Sequence, residues 1–452
     1  MKRVVIALAA VSLLGGCGVF KSSKPKTPTI GERIPVLSAE SRIEVDPALA
    51  DVAITLPPAE ANADWTQPGG NASKSMGHLA LGTSLGRAWT ADIGDGSQSR
   101  ARLASAPVVA NGRIYTIDTQ AVVRAFDART GAQVWAHEVG DPKDRRGGIS
   151  VWTGESTGAH GILFGGGVSF DNGRLYATSG LGDVEAIDAA TGAQVWRVRP
   201  GGPLRGAPTI ANENIYVITQ DNQLFALNPA DGKLRWNAAG TFETSGVFGA
   251  AAPAAAQGTV VAGFSSGELT AYRYENGRTV WQDALTRTSI STAVATISDI
   301  DAEPVIDQGR VYALGQGGRM VALELNTGQR IWEINVAGIS TPWVAGEWIF
   351  AVTDQGQLMA LARATGRVKW LTQLPRYRDE EDKEGAISWV GPVLAGDRLI
   401  VANSRGQIVN VSPLDGKVQS TVETRMSITL PLVVAGSTLY VLHDEGRLTA
   451  WR

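Results

Sequence analysis

Short runs in which apolar and polar residues alternate, each closed by Gly, Asn or Asp, return along the chain from Gly86 to its end. A period of two predicts β-strands with at least one buried face. A full copy reads Pro107-Val108-Val109, then Gly112-Arg113-Ile114-Tyr115, then Arg124-Ala125-Phe126-Asp127, then a turn through Thr130-Gly131 into Gln133-Val134-Trp135. The next copy repeats it from Asn172-Gly173-Arg174-Leu175-Tyr176 to Thr191-Gly192-Ala193-Gln194-Val195-Trp196. Each copy therefore predicts four short antiparallel strands. Asp and Thr side chains bond turn amides, and Gly accepts the positive φ of a tight hairpin. Proline opens the first strand, where a missing N–H is tolerated. No copy carries a sustained helical period, so the class is all-β.

Further Gly-x-x-x-Trp endings fall at Gly232/Trp236, Gly277/Trp281, Gly328/Trp332 and Gly366/Trp370, and a seventh copy has Gly416 but Ser420 in place of Trp. A pitch of roughly 40 to 60 residues is that of propeller blades. One four-stranded blade is marginal alone, so the copies must stack. The recurrent indole supplies the means, wedged against the small Gly and Ala of the next copy with its N–H on a carbonyl. Trp135, Trp196, Trp236, Trp281, Trp332 and Trp370 are thus read as structural docking residues rather than a ligand site. The C-terminal copy, from Thr429 to Arg452, supplies only three strands, while Leu85–Ala91 is an orphan fourth strand with Trp89 in the docking place. Joining them predicts an eight-bladed β-propeller of four-stranded antiparallel blades, closed by pairing of the N- and C-terminal strands.

Upstream the texture differs. Lys2 and Arg3 precede an apolar stretch, Val4 to Leu14, too short to span a bilayer comfortably. Leu14-Gly15-Gly16-Cys17 resembles the bacterial lipobox, which implies a signal peptide over 1–16 and a lipidated Cys17. The alternative is an ordinary secretory signal with an incidental cysteine. Each buried CH₂ of an acyl chain contributes about 0.8 kcal/mol, so several chains hold firmly where one does not. By resemblance to the lipoprotein sorting rule, Gly18 rather than Asp after the cysteine implies the outer membrane, facing the periplasm. Prolines 25, 28, 35, 47, 57 and 58 make residues 17–60 read as a flexible tether. Residues 61–85 are expected to pack on the propeller at 86–452, because an exposed Trp65 would be wasteful.

Charged residues make up 19% of the chain and the net charge is -3, which gives no drive towards nucleic acid. Cys17 is the only cysteine, so no disulfide is expected in the mature domain. His78, His137, His160 and His443 are scattered without zinc-ligand spacing. Gly165-Gly166-Gly167 lacks the Lys-Ser/Thr of a phosphate cradle and reads as a flexible inter-blade loop. No nucleophile elbow is present. No catalytic residue, metal or cofactor is expected. Two charged insertions, 140–161 and 376–384, read either as solvated surface or as contact loops.

The Ala-x-Asp-x-x-Thr-Gly-x-x-x-Trp repeat resembles that of the pyrroloquinoline-quinone dehydrogenases, and it also occurs in the BamB family of outer-membrane β-barrel assembly factors. The quinone site of the dehydrogenases uses a vicinal cysteine pair, which this chain cannot form. Ile297-Ser298-Asp299-Ile300-Asp301 resembles a Ser-Asp-Val-Asp stretch of the BamB family, whose acids help bind the assembly protein BamA. Ser245 to Pro253 resembles that family's Leu-x-Leu-Arg-Gly-x-x-x-Pro loop, but with Phe248 where Arg belongs and Ser245 where the first Leu belongs. The resemblance implies a non-catalytic scaffold that binds the periplasmic (POTRA) domains of BamA through Asp299, Asp301, Val247 and Phe248, with unfolded outer-membrane proteins as further partners. Read without the resemblance, Asp299 and Asp301 fit a solvated turn that caps backbone amides. Two other functions stay open: a tethered quinone-dependent dehydrogenase, and a general binding propeller of another envelope complex.

Overall fold

Seven repeats each fold into four consecutive antiparallel strands, and with an eighth four-stranded sheet built from both chain ends they stand in a ring. The computed structural model describes residues 43–99, 101–141, 165–243, 251–285 and 298–452; the expected lipidation site Cys17 lies outside them. Blades 1 to 7 span 108–138, 166–198, 209–239, 254–284, 305–334, 343–373 and 389–423. Blade 8 joins 433–451 to the N-terminal strand Arg87–Asp92. First strands of successive blades lie against one another at the centre. Second strands such as Asn214–Ile218 are wholly buried, whereas fourth strands such as Gln133–Glu138 are largely exposed.

The turn chemistry is local. Asp127 Oδ1 accepts from the backbone N–H of Arg129 (3.1 Å) and Thr130 (2.8 Å) and from the Thr130 hydroxyl (2.7 Å). Asp188 repeats all three bonds. These donors, the Thr130 hydroxyl foremost, hold the Asp127 carboxyl below the usual carboxylate range.

Seven indoles each bridge one blade to the next, at seven of the eight seams. Trp89, Trp135, Trp196 and Trp236 donate to the carbonyls of Ala128, Ala189, Pro229 and Tyr274 at 3.2, 3.1, 3.0 and 2.8 Å. Trp281, Trp332 and Trp370 donate to Leu325, Arg363 and Pro413 at 2.7, 2.9 and 2.9 Å. A register shift beside each docking position, as between Ala125 and Phe126 opposite Trp135, re-aims the strand there. The ring lies on the turn glycine of the next blade so closely that a Cβ on Gly366 would sit 2.7 Å from Trp332. Second-strand aromatics complete the interface: Tyr115 tilts against Trp135 at 6.0 Å, and Arg113 donates to the same Ala189 carbonyl at 2.9 Å. At the seam of the chain ends, Trp89 pairs with Ala450, and Gly86 and Arg452 exchange backbone bonds of 2.7 and 2.9 Å.

Residues 60–82 form a collar inside the ring. Asn62 bonds blade 8, donating to Val434 O (2.7 Å) and accepting from Gly436 N (2.7 Å). Trp65 exchanges bonds with Val109 of blade 1 (2.7 and 2.9 Å), and Thr66 O accepts from Phe170 of blade 2 (2.7 Å). Gln67 Oε1 accepts from Ile210 of blade 3 (2.9 Å). Ala72 O and Ser73 O accept from Ala255 of blade 4 and Ile306 of blade 5 (both 2.8 Å). Gly77 O accepts from the Trp343 indole of blade 6 (2.6 Å). Leu79 donates to Leu394 O of blade 7 (3.1 Å) and accepts from Gly396 N (2.9 Å). The collar thus visits all eight first strands, or the turns that follow them, in ring order. Trp65 is buried and stacks on Trp343 with centroids 6.4 Å apart. Lys74 is buried too, its ammonium bonded to Pro68 O (2.8 Å) and Thr209 Oγ1 (3.2 Å), and burial pulls its pKa down to about 8 against the opposing charge of Glu303.

Two expectations need correction. Packing extends upstream of residue 61 into the described residues 43–60: Val45 pairs with Val368 on the fourth strand of blade 6, and Lys369 Nζ donates to Leu49 O (2.5 Å) and Ala50 O (2.6 Å). Proline density argued for a leash, yet Pro47 opens a short 3-10 turn, Pro47–Leu49, capped by Asp46, and the carbonyls at the end of that turn accept from Lys369. Gly165–Gly167 is not a flexible loop. Gly166 and Gly167 begin the first strand of blade 2, and a Cβ on Gly165 or Gly167 would sit 2.1 Å from Leu204 O or 2.4 Å from Ala207 Cβ. Close approach of the blade 2–3 connection demands the glycines.

Candidate interaction face

Antiparallel order puts every blade-to-blade connection on one face, where first strands begin, and every first turn on the other. The collar lies at the first-turn face. The opposite face carries all the long connections. One of these, from blade 6 to blade 7, is a two-stranded hairpin, Tyr377–Asp379 with Glu384–Ala386, rather than an irregular charged loop. Glu380 Oε1 accepts from the backbone N–H groups of Arg376 (2.7 Å) and Tyr377 (3.1 Å) and so fixes its base. The 142–161 part of the first insertion lies outside the described residues.

Asp299 and Asp301 sit on the connection from blade 4 to blade 5, on this face. They do not form a solvated turn. Ile300 between them is fully buried among the residues of blades 4 and 5, and its N–H reaches Phe264 O (3.3 Å). That anchor turns both carboxylates inward. Arg205 Nη2, from the connection between blades 2 and 3, donates to Asp299 Oδ1 at 2.8 Å and to Asp301 Oδ1 at 3.0 Å. The side chains of Arg205, Asp299 and Asp301 are only 5%, 0% and 4% exposed. Two carboxylates share one buried guanidinium, which ties two connections a quarter of the ring apart. Asp301 Oδ2 is buried and has no hydrogen-bond partner among the described residues. Burial first, and the neighbouring Asp299 charge second, push the Asp301 carboxyl up to about 7, with Arg205 opposing.

Val247 and Phe248 lie outside the described residues. Phe242, just before them on the connection from blade 3 to blade 4, is 68% exposed, and Ile339 on the next connection but one is 38% exposed. Sequence reasoning missed Phe242 and Arg205. An apolar ring standing alone in Gly240-Thr241-Phe242-Glu243 gave Phe242 a signal; Arg205 had none, since its partners are 94 and 96 residues away. Among the described residues no three His, Cys, Asp or Glu side chains are grouped to hold a metal ion. His78 and His443 serve the frame: His78 bonds Pro57 O (2.7 Å) and accepts from Asp397 N (3.1 Å), and His443 bonds Thr449 Oγ1 (3.0 Å).

The family described as outer membrane protein assembly factor BamB matches this sequence over residues 72–145 and 122–372. The chain belongs to the BamB family. The BamB of Moranella endobia is 26% identical over 344 residues, covering 76% of this chain and 84% of that relative. The BamB of Escherichia coli K12 is 27% identical over 340 residues, 75% of this chain and 82% of that relative. Among solved structures, BamB from Moraxella catarrhalis superposes with a TM-score of 0.64 at 19% identity, over 82% of this chain and all of that one. A europium-containing methanol dehydrogenase superposes nearly as well, with a TM-score of 0.63 at 13% identity over 84% of this chain and 89% of its own. The ring is therefore shared between BamB proteins and dehydrogenases, and fold alone does not separate them.

Proposed function

We propose that this chain is a non-catalytic scaffold lipoprotein of the outer-membrane β-barrel assembly machinery, anchored through Cys17 and facing the periplasm. Its relatives carry the name outer membrane protein assembly factor, which supports the outer-membrane setting. One observation carries the contact: the face opposite the collar gathers the blade-to-blade connections, the exposed Phe242 and the segment pinned by Arg205, Asp299 and Asp301. An exposed apolar side chain on the face that also carries a rigid, buried polar frame suits a protein partner, because preorganised anchors lose little entropy on binding. The partner is the periplasmic domains of BamA, and Val247 and Phe248 are proposed as further contact residues. Asp299 and Asp301 act by holding the connection in shape.

The test is binding of the full chain to those periplasmic domains, by pulldown and titration. Phe242→Glu and Ile339→Glu on this face should each weaken binding at least roughly tenfold, the scale of an interface anchor. Val134→Glu, at a 47% exposed position on a fourth strand, should leave it unchanged. Equal binding by all three variants would remove this face from the contact.

A further inference from the structure

Among the described residues, the seam between blades 7 and 8 is the one seam that no indole crosses, and the collar is built across it. At every other seam an indole crosses to the next blade. Blade 7 has Ser420 instead, whose hydroxyl is used within its own blade, accepting from Asn410 Nδ2 at 2.9 Å. Blade 8 is also the blade assembled from both ends of the chain.

The collar begins on blade 8 at Asn62 and ends on blade 7 at Leu79. Its two ends meet each other over that seam. Glu60 N donates to His78 O and Ala80 N donates to Glu60 O, both at 2.8 Å, and Glu60 pairs with Leu79 in parallel. Blade 7 grips the later end again through Arg398 Nη2, which donates to Gly82 O at 2.7 Å. The bonds run from blade 8 through Asn62 and Glu60 to Leu79 and on to blade 7.

We infer that residues 60–82 are a second clasp, which holds blade 8 in the ring across the blade 7–8 seam. It acts in addition to the terminal strand pair Arg87–Asp92 with Arg447–Trp451, which joins the N-terminal strand to blade 8 itself. With two closures in parallel, blade 8 parts from the N-terminal segment only when both the clasp and the strand pair are released. The clasp stands in for the indole that blade 7 lacks.

A matched pair of glycines tests this in the full chain. Gly396 and Gly436 hold the same place in the first turns of blades 7 and 8, with φ of +58° and +56°. A Cβ on Gly396 would sit 2.4 Å from Leu81 O of the collar, whereas one on Gly436 meets nothing within 4 Å. Alanine imposes the same backbone strain at both and displaces the clasp at only one. Hydrogen exchange followed by mass spectrometry reads the result on peptides covering 84–92 and 446–452. Gly396→Ala should speed exchange there at least roughly tenfold over Gly436→Ala, because local opening sets the rate. Exchange in Arg330–Ile334, far from the seam, should not differ between them. Asn62→Ala removes the Val434 bond without backbone strain and should speed the same terminal peptides, which keeps the test available should Gly396→Ala fail to fold. The inference is overturned if Gly396→Ala and Gly436→Ala exchange alike, if Asn62→Ala matches wild type, or if the change spreads evenly round the ring.

Discussion

Asn410 and Ser420 face each other across the third and fourth strands of blade 7, in the two places where the other seven blades pair alanine with tryptophan. The exchange is concerted. Where the indole is gone the alanine opposite has grown into an amide, and that amide bonds Ser420 on one side and the Arg398 guanidinium on the other, 3.0 Å from Nε.

Non-additive energetics should follow. Asn410→Ala leaves a buried guanidinium edge and a hydroxyl without partners and should cost about 1–3 kcal/mol. Ser420→Trp alone forces an indole against the amide and should also destabilise. The double variant Asn410→Ala/Ser420→Trp restores the pair of the other blades and should be more stable than the two single losses sum to, by about 0.5–3 kcal/mol. Urea denaturation of the four proteins measures the coupling; simple addition would mean the two positions do not communicate.

Indole docking itself is testable at Trp332, which is buried and bonds Arg363 O at 2.9 Å. Trp332→Ala should cost about 3–5 kcal/mol through the cavity and lost burial. Trp332→Phe should cost clearly less, since a ring still covers Gly366. Equal losses would point to the N–H bond rather than the ring as the main contribution.

Arg205 should be needed for stability well beyond its size. Arg205→Ala leaves the carboxylates of Asp299 and Asp301 buried together with no guanidinium, and the loss should be about 3–5 kcal/mol near neutral pH. Chemical denaturation checks it. A loss below about 1 kcal/mol, the scale of an exposed ion pair, would mean the carboxylates find water instead.

The same cluster sets a pH dependence. The folded chain holds the Asp301 carboxyl up to about 7 against an ordinary 3.8, chiefly by burial. Between these values the folded state binds a proton that the unfolded state releases, so this group's contribution falls as pH rises and is least favourable above 7. Asp301→Asn should therefore gain most over wild type above pH 7 and lose that advantage towards pH 4. Thermal midpoints of both proteins across pH 4–8 give the difference, and one that stays constant would mean no titration in this window.

The blades were legible in the sequence because their determinants are local. Asp127, Thr130 and Gly131 build a turn among themselves, and Trp135 follows at fixed spacing, so a short window contains the whole motif. Trp89 could be joined to the last copy for the same reason. The collar was not legible beyond Trp65. Leu79, Ala72 and Ser73 hold the ring through main-chain N–H and C=O groups, which every residue possesses and no composition reveals. Arg205 was invisible for a different reason, since nothing near it in sequence hints at carboxylates two blades away. The acids of Ser298-Asp299-Ile300-Asp301 could be singled out, but their inward turn depends on Ile300 finding its slot between two blades.

The collar also dictates an order of manufacture. Its residues leave the ribosome before any blade, yet Asn62 needs Val434 and Leu79 needs Leu394, which are made some three hundred residues later. A nascent chain must therefore carry this segment without its final neighbours through most of its synthesis, and only the arrival of the last two sheets lets it settle. Truncating the C-terminus would leave stranded not only one sheet but also a band that touches every other.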